Sequence, residues 1–387
     1  MKQSIKEVDV QGKRVLMRVD FNVPIQDGEI VDDRRIQMAL PTIQTVLERG
    51  GKVTLMSHLG RPSGNGFEEA FTLKPVAERL SELLGTKVAF DVPSEASVVL
   101  RENLRFDERE KAGDDAFGAM LAEGCDIYCN DAFGTAHRNH ASMVAVPRHM
   151  EGKPRVAGLL LEKELQYLDE TIKHAQVPFI AILGGAKVSD KLGAIDRLIG
   201  TVNTIVIGGA MAYTLLAAKG VSIGNSLVEE ELLDQSREML RKADAKGTVI
   251  QLPQDHVCAT MIADDAEPTI VRGNIPNGLM GLDIGPETTI AFAEICKQAK
   301  TIVWNGPMGV FECEPFSYGT KGVAEAIAEA TSQGAVSIVG GGDSAAAINE
   351  FGLETQMTHI STGGGASLQM LEGIEFLSVS LLDDTVS

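Results

Sequence analysis

Arginine is distributed unevenly along this chain. Of 17 arginines, 13 precede residue 156, although Asp and Glu outnumber Lys and Arg 54 to 35. Several lie at or just beyond the ends of short apolar runs, beside histidine, asparagine or aspartate: Arg18 in RVDFNVP, Arg61 in SHLGRP, Arg105 in ENLRF and Arg138 in NDAFGTAHRNH. Arg35 follows the first turn. A guanidinium binds carboxylate or phosphate through two parallel N–H bonds. Arginines gathered at converging strand ends therefore predict a basic pocket for a small polyanion. Arg49, Arg79 and Arg109 fall on helical stretches and read as solvated surface charge.

The second half places glycine where the first places arginine. Its apolar runs lead into Gly184-Gly185-Ala186-Lys187, Gly208-Gly209-Ala210, Asn305-Gly306-Pro307, Gly340-Gly341-Gly342-Asp343 and Thr362-Gly363-Gly364-Gly365. Glycine lets the backbone approach a ligand closely, and a following helix N-terminus presents free N–H groups to phosphate. One such turn serves turn geometry alone; five in one half predict a nucleotide bed. Lys187 and Lys191 stand near the start of a helix, where cations oppose the helix dipole. Two of them there call for an anion to neutralise.

The elements that must position these groups follow a repeated pattern. A short β-branched run ends in a turn or polar residue, and an Ala/Leu/Glu/Lys-rich stretch follows. Such runs occur at 15–19, 53–57, 88–92, 98–100, 127–129, 179–183, 204–207, 249–252, 301–304, 336–339 and 359–361. Apolar strands alternating with helices suit right-handed βαβ units in a parallel sheet covered on both faces. About eleven strands are too many for one comfortable open sheet. The fold class expected is α/β, with two doubly wound, Rossmann-like parallel-sheet domains in series. In GLLLEKELQYLDETIK (Gly158–Lys173), Leu160, Leu161, Leu165 and Leu168 fall at helical spacing, which predicts a helix joining the halves.

Composition narrows the class further. The chain has 387 residues, 44% of them hydrophobic, and a formal charge of −19. That charge repels nucleic acid and anionic membrane. No run approaches the ~20 apolar residues of a membrane span, and the N-terminus lacks a signal-peptide core. Five scattered cysteines form no disulfide framework, and Cys125 and Cys129 read as small buried hydrophobes. A cytoplasmic two-domain protein is expected. GGGDSA (Gly340–Ala345) fits the dinucleotide pattern G-x-G-x-x-A, but the next strand, THIST, ends without the acidic ribose partner. No Walker-type phosphate loop is present, and HRN (His137–Asn139) lacks the order and aspartates of a protein kinase.

Nine segments then resemble one family. RVDFNVP (Arg18–Pro24), SHLGRP (Ser57–Pro62), ENLRF (Glu102–Phe106), NDAFGTAHR (Asn130–Arg138), LGGAKVSDK (Leu183–Lys191), LDIGP (Leu282–Pro286), WNGPMGVFE (Trp304–Glu312), GGGDS (Gly340–Ser344) and STGGGASL (Ser361–Leu368) together look like phosphoglycerate kinase. They run in that family's order across nearly the whole chain. The resemblance implies a bilobal, hinge-closing glycolytic kinase and a monomer. It moves a phosphoryl group between 1,3-bisphosphoglycerate and ADP, giving 3-phosphoglycerate and ATP with Mg²⁺. It also implies a phosphoglycerate domain over residues 1–165 and a nucleotide domain over 166–369, with residues 370–387 packing back onto the first.

By the same resemblance Asp20, Asn22, Arg35, His58, Leu59, Gly60, Arg61, Arg105 and Arg138 hold the phosphoglycerate, with Arg18 beside them. Gly184, Lys191, Gly208, Gly209, Gly340, Gly341, Gly342 and Ser344 serve the nucleotide. Glu312 would hold the ribose and Asp343 the metal. Arg35, Lys187, Gly363, Gly364 and Gly365 would surround the transferring phosphoryl. Two departures are small: Ala210 stands where the family often has glycine, near the base pocket, and Ser344 where threonine is frequent. Two rival readings fit less of the chain. A nicotinamide oxidoreductase lacks its ribose carboxylate, and a non-catalytic anion binder leaves Lys187, Lys191 and Asp343 without a purpose.

Overall fold

The computed structural model describes residues 1–92 and 95–385. The chain divides into two compact units, one of Met1–Gln166 with the segment from Glu375 onward, the other of Tyr167–Ile374.

The N-terminal unit carries β1 (Arg14–Val19), a hairpin of β2 (Ile25–Gln26) and β3 (Glu29–Ile30), then β4 (Lys52–Met56), β5 (Ala89–Phe90), β6 (Val98–Leu100), β7 (Ile127–Asp131) and β8 (Arg155–Ala157). Six of these form a sheet in the order β5-β6-β4-β1-β7-β8, and each pair is parallel. Alternate residues of the central strands, Val15, Met17 and Val19 with Val53, Leu55 and Ile127, share one apolar core. The residues between them face the other way, so both faces are buried, as crossover helices require.

The C-terminal unit contains β9 (Phe179–Leu183), β10 (Thr204–Ile207), β11 (Val249–Gln251), β12 (Asp255–Ala259), β13 (Thr269–Arg272), β14 (Met280–Ile284), β15 (Thr301–Asn305), β16 (Val336–Gly340) and β17 (His359–Ile360). Its main sheet is again parallel, ordered β11-β10-β9-β15-β16-β17. Its core gathers Ile180, Ile182, Ile302 and Trp304 against Phe292, Val323 and Ile327.

Every expected strand lies in one of these two sheets, and β8 is added. The sequence reading missed the separate antiparallel sheet β13-β12-β14 altogether. Its strands are weakly marked in the sequence: β12 (DHVCA) and β13 (TIVR) offer only three-residue runs, β13 is largely exposed, and β14 (MGLDI) is interrupted by glycine and aspartate. The expected connecting helix is α-helical over Leu159–Leu165 and Thr171–Lys173, with a π-helical turn at Gln166–Glu170 between them. The helix Gly365–Leu371 stays with the C-terminal unit. The chain rejoins the N-terminal unit at Glu375, where 370 was expected, and residues 386 and 387 lie outside the described residues. There Asp383 receives Arg155 Nη2 at 2.8 Å, while its own N–H donates to the Arg155 carbonyl at 2.8 Å. Among the described residues no helix is long and apolar enough to cross a membrane.

Candidate active site

A doubly wound sheet opens a crevice where strand order reverses, beyond the C-terminal strand ends. In the N-terminal unit that point lies between β1 and β7, and in the C-terminal unit between β9 and β15. The sequence motifs with chemical potential lead out of these four strands and of β4, β6, β16 and β17 in the same two sheets.

Beyond β1, Asp20 accepts a hydrogen bond from Arg35 Nη1 at 2.8 Å, and Asn22 Oδ1 accepts the Gly60 N–H at 2.8 Å. The Gly60 carbonyl receives Arg105 Nη1 at 2.7 Å, and the Leu59 carbonyl receives Asn103 Nδ2 at 2.8 Å. Gly60 has a φ of +60°, and a Cβ there would meet the Phe71 ring at 2.4 Å, so the turn requires glycine. Arg18 is buried, with Nη2 lying 3.2 Å from His58 Nδ1. Arg61 is exposed, and Arg138 is half-buried beside His137.

This cluster repels itself. Burial first, then the charges of Arg138 and Arg18, pushes Arg105 down to about 10. Burial followed by Arg18, Arg105 and Arg138 holds His58 well below the ordinary histidine range, so it is neutral at pH 7. The same causes lower His140 to about 3. Arg105 Nε is buried with no hydrogen-bond partner among the described residues. Cations held together with an unsatisfied donor form a receptor for an anion.

In the C-terminal unit a cavity of about 380 Å³ opens at the β9/β15 switch. Gly184, Lys187, Lys191, Gly341, Gly342, Asp343, Ser344, Gly364 and Gly365 line it, joined by Asp190, Asn305 and Gly306. Three helices begin at its wall: Leu192–Leu198 capped by Lys191, Gly342–Glu350 capped by Gly341, and Gly365–Leu371 capped by Gly364. Their free N–H groups and positive dipole ends suit phosphate. Gly184 permits the close approach of two strand ends, since a Cβ there would lie 2.0 Å from the Pro307 carbonyl oxygen. Lys187 is exposed, whereas Lys191 is half-buried and bonded to Asn305 Oδ1. Burial lowers the Lys191 pKa, against the opposing pull of Asp190, Asp343 and Glu372.

Five expected residues do not line this cavity. Gly208 and Gly209 pack under it, Gly208 against Met308 and Gly209 against Gly185. Gly340 closes β16 against Asn305 and Ser367. The Gly363 N–H donates to Ser361 Oγ at 3.1 Å, and Glu312 is exposed on a turn outside the lining. The Ser344 hydroxyl is also differently employed: it is buried and accepts the Gly306 N–H at 2.6 Å, which ties two glycine turns together. Arg49, read as solvated, instead donates to the carbonyls of Ile5 and Val8.

Sequence reasoning passed over Asn305, Asp190, Ser142 and Glu110. Asn305 and Asp190 sit inside the quoted motifs WNGP and KVSDK, so their position at strand and helix ends was a usable signal. Glu110 lies in an EREK run that reads as a solvated helix face, yet it is fully buried. Magnesium fits the cavity by its chemistry. Asp343 and Asp190 offer hard carboxylate oxygens, and Mg²⁺ binds through one or two carboxylates plus substrate phosphates. No cluster of three or more His, Cys, Asp or Glu residues able to hold a metal occurs among the described residues.

Comparison with known proteins agrees with this arrangement. The phosphoglycerate kinase family model matches residues 5–374. A phosphoglycerate kinase of Rhodopirellula baltica is 53% identical, covering 99% of both chains. One of Thermosipho africanus is 51% identical over 98% of this chain and 97% of its own. The structure of phosphoglycerate kinase from Coxiella burnetii superposes with a TM-score of 0.91 at 40% identity, covering 98% of each chain. That of Pyrococcus horikoshii gives 0.82 at 31% identity, covering 99% of this chain and 98% of the other. Relatives more than half identical over almost their whole length, and a family match that takes in both switch points, establish that the chain belongs to the phosphoglycerate kinase family.

Proposed function

We propose that the arginine cluster of the N-terminal unit holds the phosphoglycerate and that the glycine-lined cavity of the C-terminal unit holds the nucleotide phosphates. The chain is an enzyme of glycolysis: it transfers phosphoryl between 1,3-bisphosphoglycerate and ADP, giving 3-phosphoglycerate and ATP. The observation that carries the division of labour is the chemistry at the two switch points. One presents guanidinium and imidazole groups, the other three helix N-termini and two lysines.

In the ATP-consuming direction the acceptor is a carboxylate, ionised at pH 7, so no general base is needed. What remains is positioning and charge stabilisation. Arg35, fixed by Asp20, and Lys187, exposed at the cavity, are the cations assigned to the phosphoryl in flight. The Gly364 and Gly365 backbone at the start of a helix supplies N–H donors to the same charge. Asp343, in the first turn of its own helix, is the carboxylate that would hold Mg²⁺, which neutralises nucleotide phosphate charge when bound. Ligands held on separate units must be brought together for direct transfer, the closure that the family resemblance implies. The same reading makes the chain a monomer and places it in the cytoplasm, and five free cysteines suit that reducing compartment.

Histidine resonances test the assignment. His58, His137 and His140 belong to the arginine cluster, so 3-phosphoglycerate should shift their ring signals and Mg·ADP alone should leave them in place. The opposite pattern would overturn the division between the two sites.

A further inference from the structure

Glu110, on the short helix Glu108–Ala112, is fully buried, and the basic group beside it is the neutral His140, whose Nδ1 lies 3.7 Å from Oε1; among the described residues no ion pair joins it to an arginine. A buried carboxylate is costly unless its oxygens are satisfied and its charge is compensated. Both oxygens are occupied by one residue: Oε2 accepts the Ser142 N–H at 2.9 Å and Oε1 accepts the Ser142 hydroxyl at 2.6 Å. A hydroxyl has a single proton to give. Having given it to Glu110, Ser142 Oγ presents a lone pair, and Arg18 Nε donates to it at 2.9 Å.

The relay continues towards the ligand groups. Arg18 is buried and can only donate, so at 3.2 Å its Nη2 requires His58 Nδ1 to be the acceptor. His58 is neutral, and its proton must then sit on Nε2. Asp20 Oδ1 lies 3.8 Å from His58 Nδ1, and the other oxygen of Asp20 holds Arg35. The hydrogen-bonded line from Glu110 thus runs through Ser142 and Arg18 and ends at His58, since an unprotonated Nδ1 has nothing to donate to Asp20.

We infer that Glu110 is a positioning residue of the phosphoglycerate pocket: through Ser142 it orients Arg18, and through Arg18 it fixes the Nε2–H tautomer of His58. The inference rests on the proposed assignment of that pocket. It explains why Arg18, which no solvent reaches, carries a charge there at all. It also explains why a carboxylate is needed where an amide of the same size would fit. Both Ser142 donors must find acceptors at residue 110. An amide nitrogen turned to either of them meets a donor, or makes the hydroxyl accept and point its proton at Arg18.

The test uses Glu110→Gln and Ser142→Ala in the full chain, with Glu108→Gln, exposed on the same helix, as a control for the lost charge. The relay predicts that each of the first two raises the KM for 3-phosphoglycerate about tenfold, with the Mg·ATP KM and kcat within about twofold. The double variant should be no worse than the poorer single one, because both break the same chain. Nitrogen chemical shifts should show His58 as the Nε2–H tautomer in the wild type and lose that signature in both variants. Unchanged 3-phosphoglycerate KM values, equal rises in both KM values, or an Nδ1–H His58 in the wild type would each overturn the inference. If Glu110→Gln does not fold, Ser142→Ala carries the same measurements. Arg61→Ala separates the two levels. If it too leaves phosphoglycerate affinity unchanged, the pocket assignment fails; if it alone weakens binding, only the relay does.

Discussion

Lys187 and Lys191 stand four positions apart in one motif, yet the structure gives them different burdens. Lys187 is exposed at the cavity, and its charge helps lower the Glu229 carboxyl. Lys187→Ala should therefore change stability by no more than about 0.5 kcal/mol, as exposed substitutions generally do. If its ammonium meets the phosphoryl mainly during transfer, the loss falls on the transition state. One preorganised donor of this kind is worth roughly 3–4 kcal/mol, or about 10²–10³-fold in kcat, with both KM values nearly unmoved. Lys187→Arg should also be poor, because a planar fork replaces a compact charge. Lys191 is half-buried and bonded to Asn305, itself buried and with Nδ2 already unpaired among the described residues. Lys191→Ala strips Asn305 Oδ1 of its donor as well, so it should cost about 1–3 kcal/mol of stability and raise the nucleotide KM. Steady-state kinetics in the ATP-consuming direction, with urea unfolding of each variant, reads all of this. A Lys187→Ala enzyme with normal kcat and a raised nucleotide KM would refute the transition-state role.

Three further outcomes follow from the same geometry. Arg61 is exposed, so Arg61→Ala should leave stability intact and weaken 3-phosphoglycerate by about 1.5–3 kcal/mol, with Mg·ADP unaffected, as calorimetry would report. Asp343→Ala should lower turnover by at least roughly 10³-fold while 3-phosphoglycerate still binds normally; a large loss of that affinity would mean Asp343 serves the fold instead. Asp131, fully buried at the end of β7, is raised from 3.8 to about 6 by burial, against hydrogen bonds from Thr42, Leu161 and Leu160. Its folded pKa exceeds its unfolded one, so its stabilisation is complete below pH ~4 and fades as pH rises through ~6, by roughly 3 kcal/mol in all. Asp131→Asn should flatten that part of the stability profile, and urea unfolding at pH 4.5 and 7 should then show a wild-type-minus-variant difference that changes between the two.

The sequence by itself determined the two parallel sheets, because strands buried on both faces must be written as short apolar runs between helices. It also determined the residue types near their ends, since Gly184 and Gly341 follow such runs within two residues, Arg18 lies next to the end of one, and Arg105 lies in the turn after another. The exposed β13 strand writes only the three-residue run Thr269–Val271, with no helical stretch after it, so the antiparallel sheet escaped notice. Only the tertiary structure decided which of the glycines line the cavity. Gly341 and Gly364 line the cavity, whereas Gly208 and Gly209 serve close packing beneath it, and both uses favour the same small residue. The same holds for charge. Glu110 in EREK has the local pattern of a surface helix, and its burial comes from Ser142, 32 residues away, folding over it. Local pattern records which residues a segment can bury, but what a buried polar group pairs with is settled by residues distant in sequence.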